Sequence, residues 1–453
     1  MSDYLLTYYG DDFTGSTDAM EALVLGGIPT VLLLETPERE FIKERFPNVR
    51  AVGVAGISRT MTPSQMDVEL KPKFASLKAL GAPLVHYKVC STFDSSPTIG
   101  SIGHAIEIGR TIFNSSAVPL IVGAPSLKRY VVFGNLFAGV WGQTYRLDRH
   151  PTMSKHPVTP MDESDLRVHL GRQTSLKIGL VDILQLSGGK DDLRGSYHTL
   201  AEQGCEIILF DTIDNAHLQS VGRLIWENRG TAPVFTVGSS GVEYALTFHW
   251  RETGVVQGSI PLEPPGAVDQ LVVMCGSAAP TTMRQIEWAL ENGYAGIRLD
   301  SIRLADPAQC DAAREEVVQK ARYALGEGKN LVMYSALGPD DPAIAQTRNY
   351  MTGQAINAES ISALLGRQQG IVLRTILERT GLKRACVAGG DTSGHVAQQL
   401  GIFALEILTP IAPGAPLCRA SSRHPQFDGL EISFKGGQNG ITDYFGAIQR
   451  GYA

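Results

Sequence analysis

The stretch YLLTYYGDDFTGSTD, residues 4–18, carries an apolar run from Tyr4 to Tyr9 and then Asp11-Asp12-Phe13-Thr14-Gly15. A helical pattern through Ala19, Ala22 and Leu23 follows at once. A strand that ends in charge and turns directly into a helix predicts an open α/β sheet with polar groups at its carboxyl edge. Ligands bind at that edge, where the first helical amides are free to hold anions. Helix capping accounts for one Asp, Ser or Thr at such a turn. Here Asp11, Asp12, Thr14, Ser16, Thr17 and Asp18 crowd eight positions, so the run reads as a site as well as a cap.

Working outward, the same alternation continues. Short β-rich runs fall at Thr30–Leu34, Ala51–Val54, Leu84–Val89, Leu120–Val122, Lys177–Val181, Glu206–Phe210 and Val234–Val237. Helical patterns such as Thr17–Leu25, Pro63–Leu80, Ile102–Ser115 and Ala216–Glu227 separate several of them. Continuous rather than alternating apolar strands indicate a mainly parallel, buried sheet. Residues 254–270, GVVQGSIPLEPPGAVDQ, hold three prolines and three glycines with no period, and read as a linker. Alternation then resumes with strands at Leu271–Met274, Gly296–Leu299, Asn330–Tyr334, Ala385–Ala388, Phe403–Leu408 and Leu430–Phe434. The expectation is α/β with two domains, each a mainly parallel sheet flanked by helices: 1–253, linker 254–270, and 271–453.

A chain of 453 residues is long for one core, which agrees with two domains. With 43% hydrophobic residues, 19% charged and a net charge of −6, it has ample core and no electrostatic case for nucleic acid or an anionic membrane. The start, MSDYLLTYYGDD, lacks a basic, apolar leader, and no apolar run is long enough to span a membrane. The six cysteines (90, 205, 275, 310, 386 and 418) are scattered without a CxxC pair, against a disulfide framework or structural zinc. The chain reads as cytoplasmic. Self-association into a homo-oligomer is left open.

Three strand–loop–helix turns in the second half bear glycine. Gly276-Ser277 precedes a helix opened by Thr281 or Thr282, Gly389-Gly390-Asp391-Thr392-Ser393-Gly394 forms the second turn, and Lys435-Gly436-Gly437-Gln438-Asn439-Gly440 the third. Glycine lets the backbone approach a phosphate closely, and hydroxyls and free amides then bind its oxygens. Lys435 adds a compact positive charge. One such turn is ordinary βα geometry; three in one domain favour a nucleotide site. Neither GxxxxGK[ST] nor GxGxxG occurs, which argues against a Walker loop and a dinucleotide dehydrogenase.

The first half offers a second kind of site. Ser58-Arg59-Thr60 follows one strand, and Lys88 leads into Ser91-Thr92-Phe93-Asp94-Ser95-Ser96-Pro97 after another. Arg59 is suited to clamp a carboxylate, with Asp94 and the hydroxyls bonding to a polyhydroxylated acid. A surface ion pair for Arg59 and a snorkelling charge for Lys88 are the plain alternatives. The segment YRLDRHPTMSKHPVTPM, Tyr145–Met161, reads as a long polar loop with few strand or helix signals, ordered by its prolines. His150 and His156 lie in it without metal-ligand spacing; a substrate-lining role stays open for them.

On these residues the chain resembles the four-carbon acid sugar kinase family, which phosphorylates threonate, erythronate and 3-oxo-tetronate. DDFTG, the SRT turn, the K-x-C-STFDS segment, the HPVTPM loop and AGGDTSG lie in family order over nearly the whole length. The resemblance implies an N-terminal sugar-acid domain, a C-terminal ATP domain and an active site in the interdomain cleft. Closure about the linker is expected with it, because a cleft that excludes water avoids wasteful ATP hydrolysis. Substrate contacts are expected from Arg59, Lys88, Ser91, Thr92, Asp94 and His156. ATP contacts would come from Ser277, Gly389, Gly390, Asp391, Thr392, Gly436, Gly437 and Gly440. Three segments depart from the family pattern: Gly100-Ser101-Ile102-Gly103, the KGGQNG loop and residues 123–134, GAPSLKRYVVFG. They point to a sub-branch with its own acid substrate.

The expected reaction transfers the γ-phosphoryl group of Mg-ATP to a terminal hydroxyl. Asp12 is the first candidate for the base and Asp11 the second, with Asp391 holding Mg²⁺ through water. Two rivals stand beside it. One is a sensor that binds nucleotide and metabolite without turnover. The other is an aspartate-dependent phosphatase, disfavoured because the sequence is not DxDxT.

Overall fold

In a computed structural model of the protein, residues 4–140, 142–156, 158–354 and 358–453 are described. Met1–Asp3 of the leader reading and Pro157 of the polar loop lie outside them. The chain divides into two compact units, Met1–Ile260 and Pro261–Ala453, and the division falls inside the segment read as a linker.

In the first unit the apolar runs become β1 (Leu6–Gly10), β2 (Thr30–Leu33), β3 (Ala51–Ala55), β4 (Leu84–Lys88) and β5 (Val118–Ile121). Then come β6 (Arg129–Val132), β7 (Asn135–Val140), β8 (Gln143–Arg146), β9 (Ile178–Val181), β10 (Ile207–Phe210) and β11 (Val234–Gly238). Eight of them form a parallel sheet in the order β2-β3-β1-β4-β11-β5-β10-β9. Its central strands are buried throughout, because helices cover both faces of a parallel sheet. Strands β6-β7-β8 make a separate antiparallel sheet that the polar, glycine-broken sequence did not announce.

The chain runs from β1 outward to β2 and back through β3, then crosses to β4 on the other side of β1. The winding therefore reverses between β1 and β4, and a crevice opens there at the carboxyl ends of the strands. Local chemistry ends each element at that place. A side chain on Gly10 would meet Ser16 Oγ at 2.0 Å, so only glycine lets the chain turn so sharply into the helix Phe13–Leu25. Asp12 caps that helix by accepting from Gly15 N.

The second unit repeats this winding without any sequence repeat. Strands β12 (Val272–Cys275), β13 (Ala295–Arg298), β14 (Leu331–Tyr334) and β15 (Arg384–Ala388) lie in the order β13-β14-β12-β15. The sheet continues through β18 (Glu431–Lys435), β17 (Ala415–Ser422) and β16 (Ile402–Ala412), the last two antiparallel. Its reversal falls between β12 and β15. Val273, Cys275, Cys386 and Ala388 pack there against Ile286, Tyr444 and Ile448. Burial pushes the Cys275 thiol up to about 12, so it serves as a small apolar filler.

Candidate active site

The reversal point of the first unit gathers the residues singled out there. Backbone bonds set the frame: Asp11 N donates to Lys88 O at 2.8 Å, and Arg59 N donates to Asp11 O at 3.0 Å. The loops after β1, β3 and β4 are thereby tied together. Side chains follow. Arg59 Nε and Nη2 grip Asp11 at 3.1 and 2.8 Å, and Nη1 reaches Asp12 Oδ2 at 2.9 Å. The guanidinium expected to clamp a substrate acid is thus engaged, through all three nitrogens, with the two aspartates.

The aspartates are not equivalent. The Asp11 side chain is 5% exposed, with both oxygens on Arg59. Burial raises its carboxyl above the ordinary value, Arg59 pulls it down and Asp12 adds to the rise. The Asp12 side chain is 27% exposed, with one oxygen on Gly15 N at 2.6 Å and the other on Arg59. Burial opposes the charge on Arg59, but the two carboxylates outweigh it and raise the guanidinium well above its ordinary range.

Lys88 ends β4 fully buried, its Nζ 3.3 Å from Asp18 Oδ2 and 3.1 Å from the Val89 carbonyl. Burial works against its charge, and Asp18 and Asp11 raise it nonetheless. Asp18 is a partner the sequence did not single out as one. Beyond Lys88, Phe93 N closes a turn onto Cys90 O at 2.9 Å, with Phe93 in the left-handed region at φ 56°. A buried, bulky residue held there stores strain of about 1 kcal/mol or more, the kind that collects at functional turns.

This turn carries half-buried Ser91 and buried Thr92 and Asp94. Thr92 Oγ1 donates to Asp94 Oδ1 at 2.6 Å. Burial pushes the Asp94 carboxyl up, but Arg59, the Thr92 hydroxyl and His156 together hold it below its ordinary value. His156 is half-buried, its Nδ1 accepting from Thr159 N at 3.1 Å. The polar loop is ordered, as its prolines suggested, but holds more regular structure than its sequence signalled: Tyr145 and Arg146 complete β8, and two short 3₁₀ turns occupy Leu147–Arg149 and Met153–Lys155.

The second unit brings its glycine turns together in the same manner. Gly276 N and Ser277 N both donate to Ala388 O, at 2.9 and 3.2 Å, which joins the turns after β12 and β15. A side chain on Gly276 would meet Thr392 Oγ1 at 1.9 Å. Gly389 has φ 137°, which L residues rarely adopt, and hands the chain to the helix Gly390–Gln399. Nothing lies within 4 Å of where a Gly390 side chain would stand, so this helix start is open. Gly436, Gly437 and Gly440 follow β18; the Gly437 carbonyl accepts from Thr282 Oγ1 at 2.8 Å.

Open helix-start amides, Ser277 and Thr281 fit the phosphates of a nucleotide. Asp391 is exposed in the first turn and accepts from Ser362 Oγ at 3.0 Å, which suits a cation that keeps its water. Lys435, with no solvent exposure, has its Nζ 3.1 Å from Thr282 Oγ1, and burial lowers it below its ordinary value. Among the described residues no three His, Cys, Asp or Glu side chains form a ligand set. Among them too, no helix is long and apolar enough to cross a membrane.

Comparison with known proteins agrees with this division of labour. Residues 6–246 match the sugar-binding N-terminal domain family, and residues 272–445 the nucleotide-binding C-terminal domain family. The 3-oxo-isoapionate kinase of Paraburkholderia graminis is 48% identical over 99% of this chain and 94% of its own length. The 3-oxo-tetronate kinase of Methylobacterium radiotolerans is 30% identical over 96% of both. A crystal structure from Salmonella typhimurium LT2, described as a tRNA synthase, superposes with a TM-score of 0.78 at 25% identity over 99% of both chains. The chain belongs to the four-carbon acid sugar kinase family and is an ATP-dependent sugar-acid kinase, a phosphotransferase with an alcohol group as acceptor.

Proposed function

We propose that the acceptor is a 3-oxo sugar acid, with 3-oxo-isoapionate ahead of 3-oxo-tetronate, and that Asp12 orients and deprotonates its hydroxyl. The observation carrying this reading is the Asp11–Arg59–Asp12 cluster at the reversal point of the sugar-binding unit, beside Thr92 and Asp94. The order of the two acids follows from the relatives, 48% against 30% identical. The hydroxyl oxygen bonds to the γ-phosphorus as the bond from that phosphorus to the bridging oxygen breaks. ADP leaves with the electron pair, and the hydroxyl proton passes to Asp12.

A loose phosphoryl-transfer transition state needs placement and charge stabilisation more than a strong base. Asp12 suits that task, because it is the more exposed carboxylate and two fixed donors set its direction. Asp11 and Arg59 act as its support, and Lys88, Ser91, Thr92, Asp94 and His156 line the acid. In the second unit Ser277, Gly389, Gly390, Thr392, Gly436, Gly437 and Gly440 form the phosphate cradle. Bound Mg²⁺ would neutralise phosphate charge, held through water by Asp391. Six free cysteines and the need for ATP fit action in the cytoplasm.

The test is ADP release from Mg-ATP against 3-oxo-isoapionate, 3-oxo-tetronates, and both enantiomers of threonate and erythronate. Release that is fastest with 3-oxo-isoapionate supports the reading; a faster rate with another acid reassigns the acceptor. Silence across the panel, with ATP still bound, puts the sensor reading first.

A further inference from the structure

Among the described residues, the buried donors of the N-terminal unit that lack an acceptor include two that lie close together. The first is Nε of Arg129, at the start of β6. Nη1 of the same residue donates to the carbonyls of Leu127, Lys128 and Gly139 at 2.9, 3.3 and 3.2 Å. Among the described residues no carboxylate pairs with this guanidinium, and burial lowers it below its ordinary value. The second donor is His150, 4% exposed. Its Nδ1 faces the backbone N–H groups of Thr152 and Met153 at 3.3 and 3.2 Å, which can only donate. Nδ1 is therefore bare and Nε2 carries the proton, buried without a partner. Burial and then Arg129 lower the imidazole, which keeps it neutral.

The two groups share one place. Arg129 pairs with Ala138, and Ala138 with Tyr145, across β6-β7-β8, and cross-strand partners share a face. That face is the inward one, since Val131, Leu136 and Ala138 on it have no exposure. Tyr145 and His150 meet edge to face with ring centroids 6.1 Å apart. Ala138 puts only a methyl group between Arg129 and Tyr145. Cys90, on the turn after β4, lies within electrostatic reach of both Arg59 and Arg129. The face is thereby linked to the cluster of Asp11, Asp12 and Asp94.

A cation without a carboxylate, next to a neutral N–H donor, makes a receptor for an oxyanion. The other cations at this edge have their counter-charges already: Arg59 holds Asp11 and Asp12, and Lys88 holds Asp18. We propose that Arg129 and His150 bind the carboxylate of the acceptor and so select a sugar acid over its neutral analogue. This rests on the acceptor reading above and names the groups that recognise its acid end. Arg129 lies in residues 123–134, one of the segments that departs from the family pattern.

The experiment compares the acceptor acid with its own carboxamide, by ADP release, in wild type, Arg129→Met, Arg129→Lys and His150→Phe. Arg129→Met should lower kcat/KM for the acid about 10- to 100-fold, the range for a charge-assisted hydrogen bond, and barely alter the carboxamide or the KM for ATP. Arg129→Lys should keep part of the preference for acid. His150→Phe, which keeps a ring against Tyr145, should lose a smaller part. Equal losses on acid and carboxamide, or none in Arg129→Met, overturn the proposal. Should Arg129→Met fail to fold, an unchanged acid preference in His150→Phe overturns it alone. A wild type silent on every acid sinks the acceptor reading and takes this subsite with it; an active wild type with unaltered variants sinks only the subsite.

Discussion

Arg59 is the residue on which the sugar-binding edge turns. Its three nitrogens fix the directions of Asp11 and Asp12, so two different substitutions should report on two different properties. Asp12→Asn keeps the cap and removes the proton acceptor. It should lower kcat about 10²- to 10⁴-fold with nucleotide affinity little changed, read from steady-state rates and ATP titration. Near-normal turnover would remove Asp12 from the chemistry. Arg59→Ala instead leaves Asp11 buried without its counter-charge, a loss of about 3 kcal/mol in urea unfolding at neutral pH. The sign with pH follows. Without Arg59 the Asp11 carboxyl, already raised by burial, rises further, and a raised carboxyl destabilises the fold only above its unfolded value near 3.8. The defect should therefore be largest at pH 7, shrink as pH falls toward 4, and be relieved at neutral pH by adding Asp11→Asn.

At the scale of elements, the turn from Cys90 to Ser95 depends on the short helix Leu166–Gly171. His169 of that helix meets Ser95 Oγ at 3.0 Å and accepts from the Gln173 amide at 3.1 Å, with Phe93 against its ring edge. Burial, with Arg172 adding, pulls its imidazole down to about 4. A base lowered by folding stabilises fully above its unfolded value near 6.5, and that contribution fades as pH falls through about 4. Urea unfolding should therefore weaken by on the order of 2–3 kcal/mol between pH 7 and 4, and His169→Gln should flatten that dependence. On the nucleotide side, Gly276→Ala would push a methyl group into Thr392 Oγ1. A strain of about 1–3 kcal/mol there should raise the KM for ATP roughly tenfold or more, with the acceptor KM unchanged. The strands that frame both turns were legible because a buried parallel strand needs an unbroken apolar run. Strands β6 to β8 were not, because glycines and charges interrupt their short alternation, and β17 was hidden in a run of small residues. The glycine turns and the acids after β1 were visible as chemistry. Their pairing was not: Arg59 stands 48 positions from Asp11, and nothing local ties a guanidinium to one of many carboxylates. Arg129 escaped for a related reason, and His150 stood out only as a loop histidine with a substrate-lining role left open, since an unmet hydrogen bond exists only in three dimensions.

For the whole molecule, each unit has its own reversal point and its own ligand chemistry, which predicts separable responses to ligand. A non-hydrolysable ATP analogue at a hundred times its Kd stabilises what it binds by about 2.7 kcal/mol. Calorimetry should show one of two transitions rising by roughly 5–10 °C while the other stays in place. Equal shifts in both would mean that the units unfold as one. The winding also sets an order in time. Strand β4 ends in Lys88 and leads to the turn from Cys90 to Ser95, but its neighbour on the far side is β11, residues 234–238. On the ribosome, half of this unit's sheet can pair early, yet one edge of β4 waits until the last strand of the unit has emerged. The turn that carries Ser91, Thr92 and Asp94 is thus borne on a strand left uncovered for most of the unit's synthesis. A nascent chain stalled before residue 234 would present that bare edge to its neighbours, so the finished site depends on uninterrupted translation through Gly238.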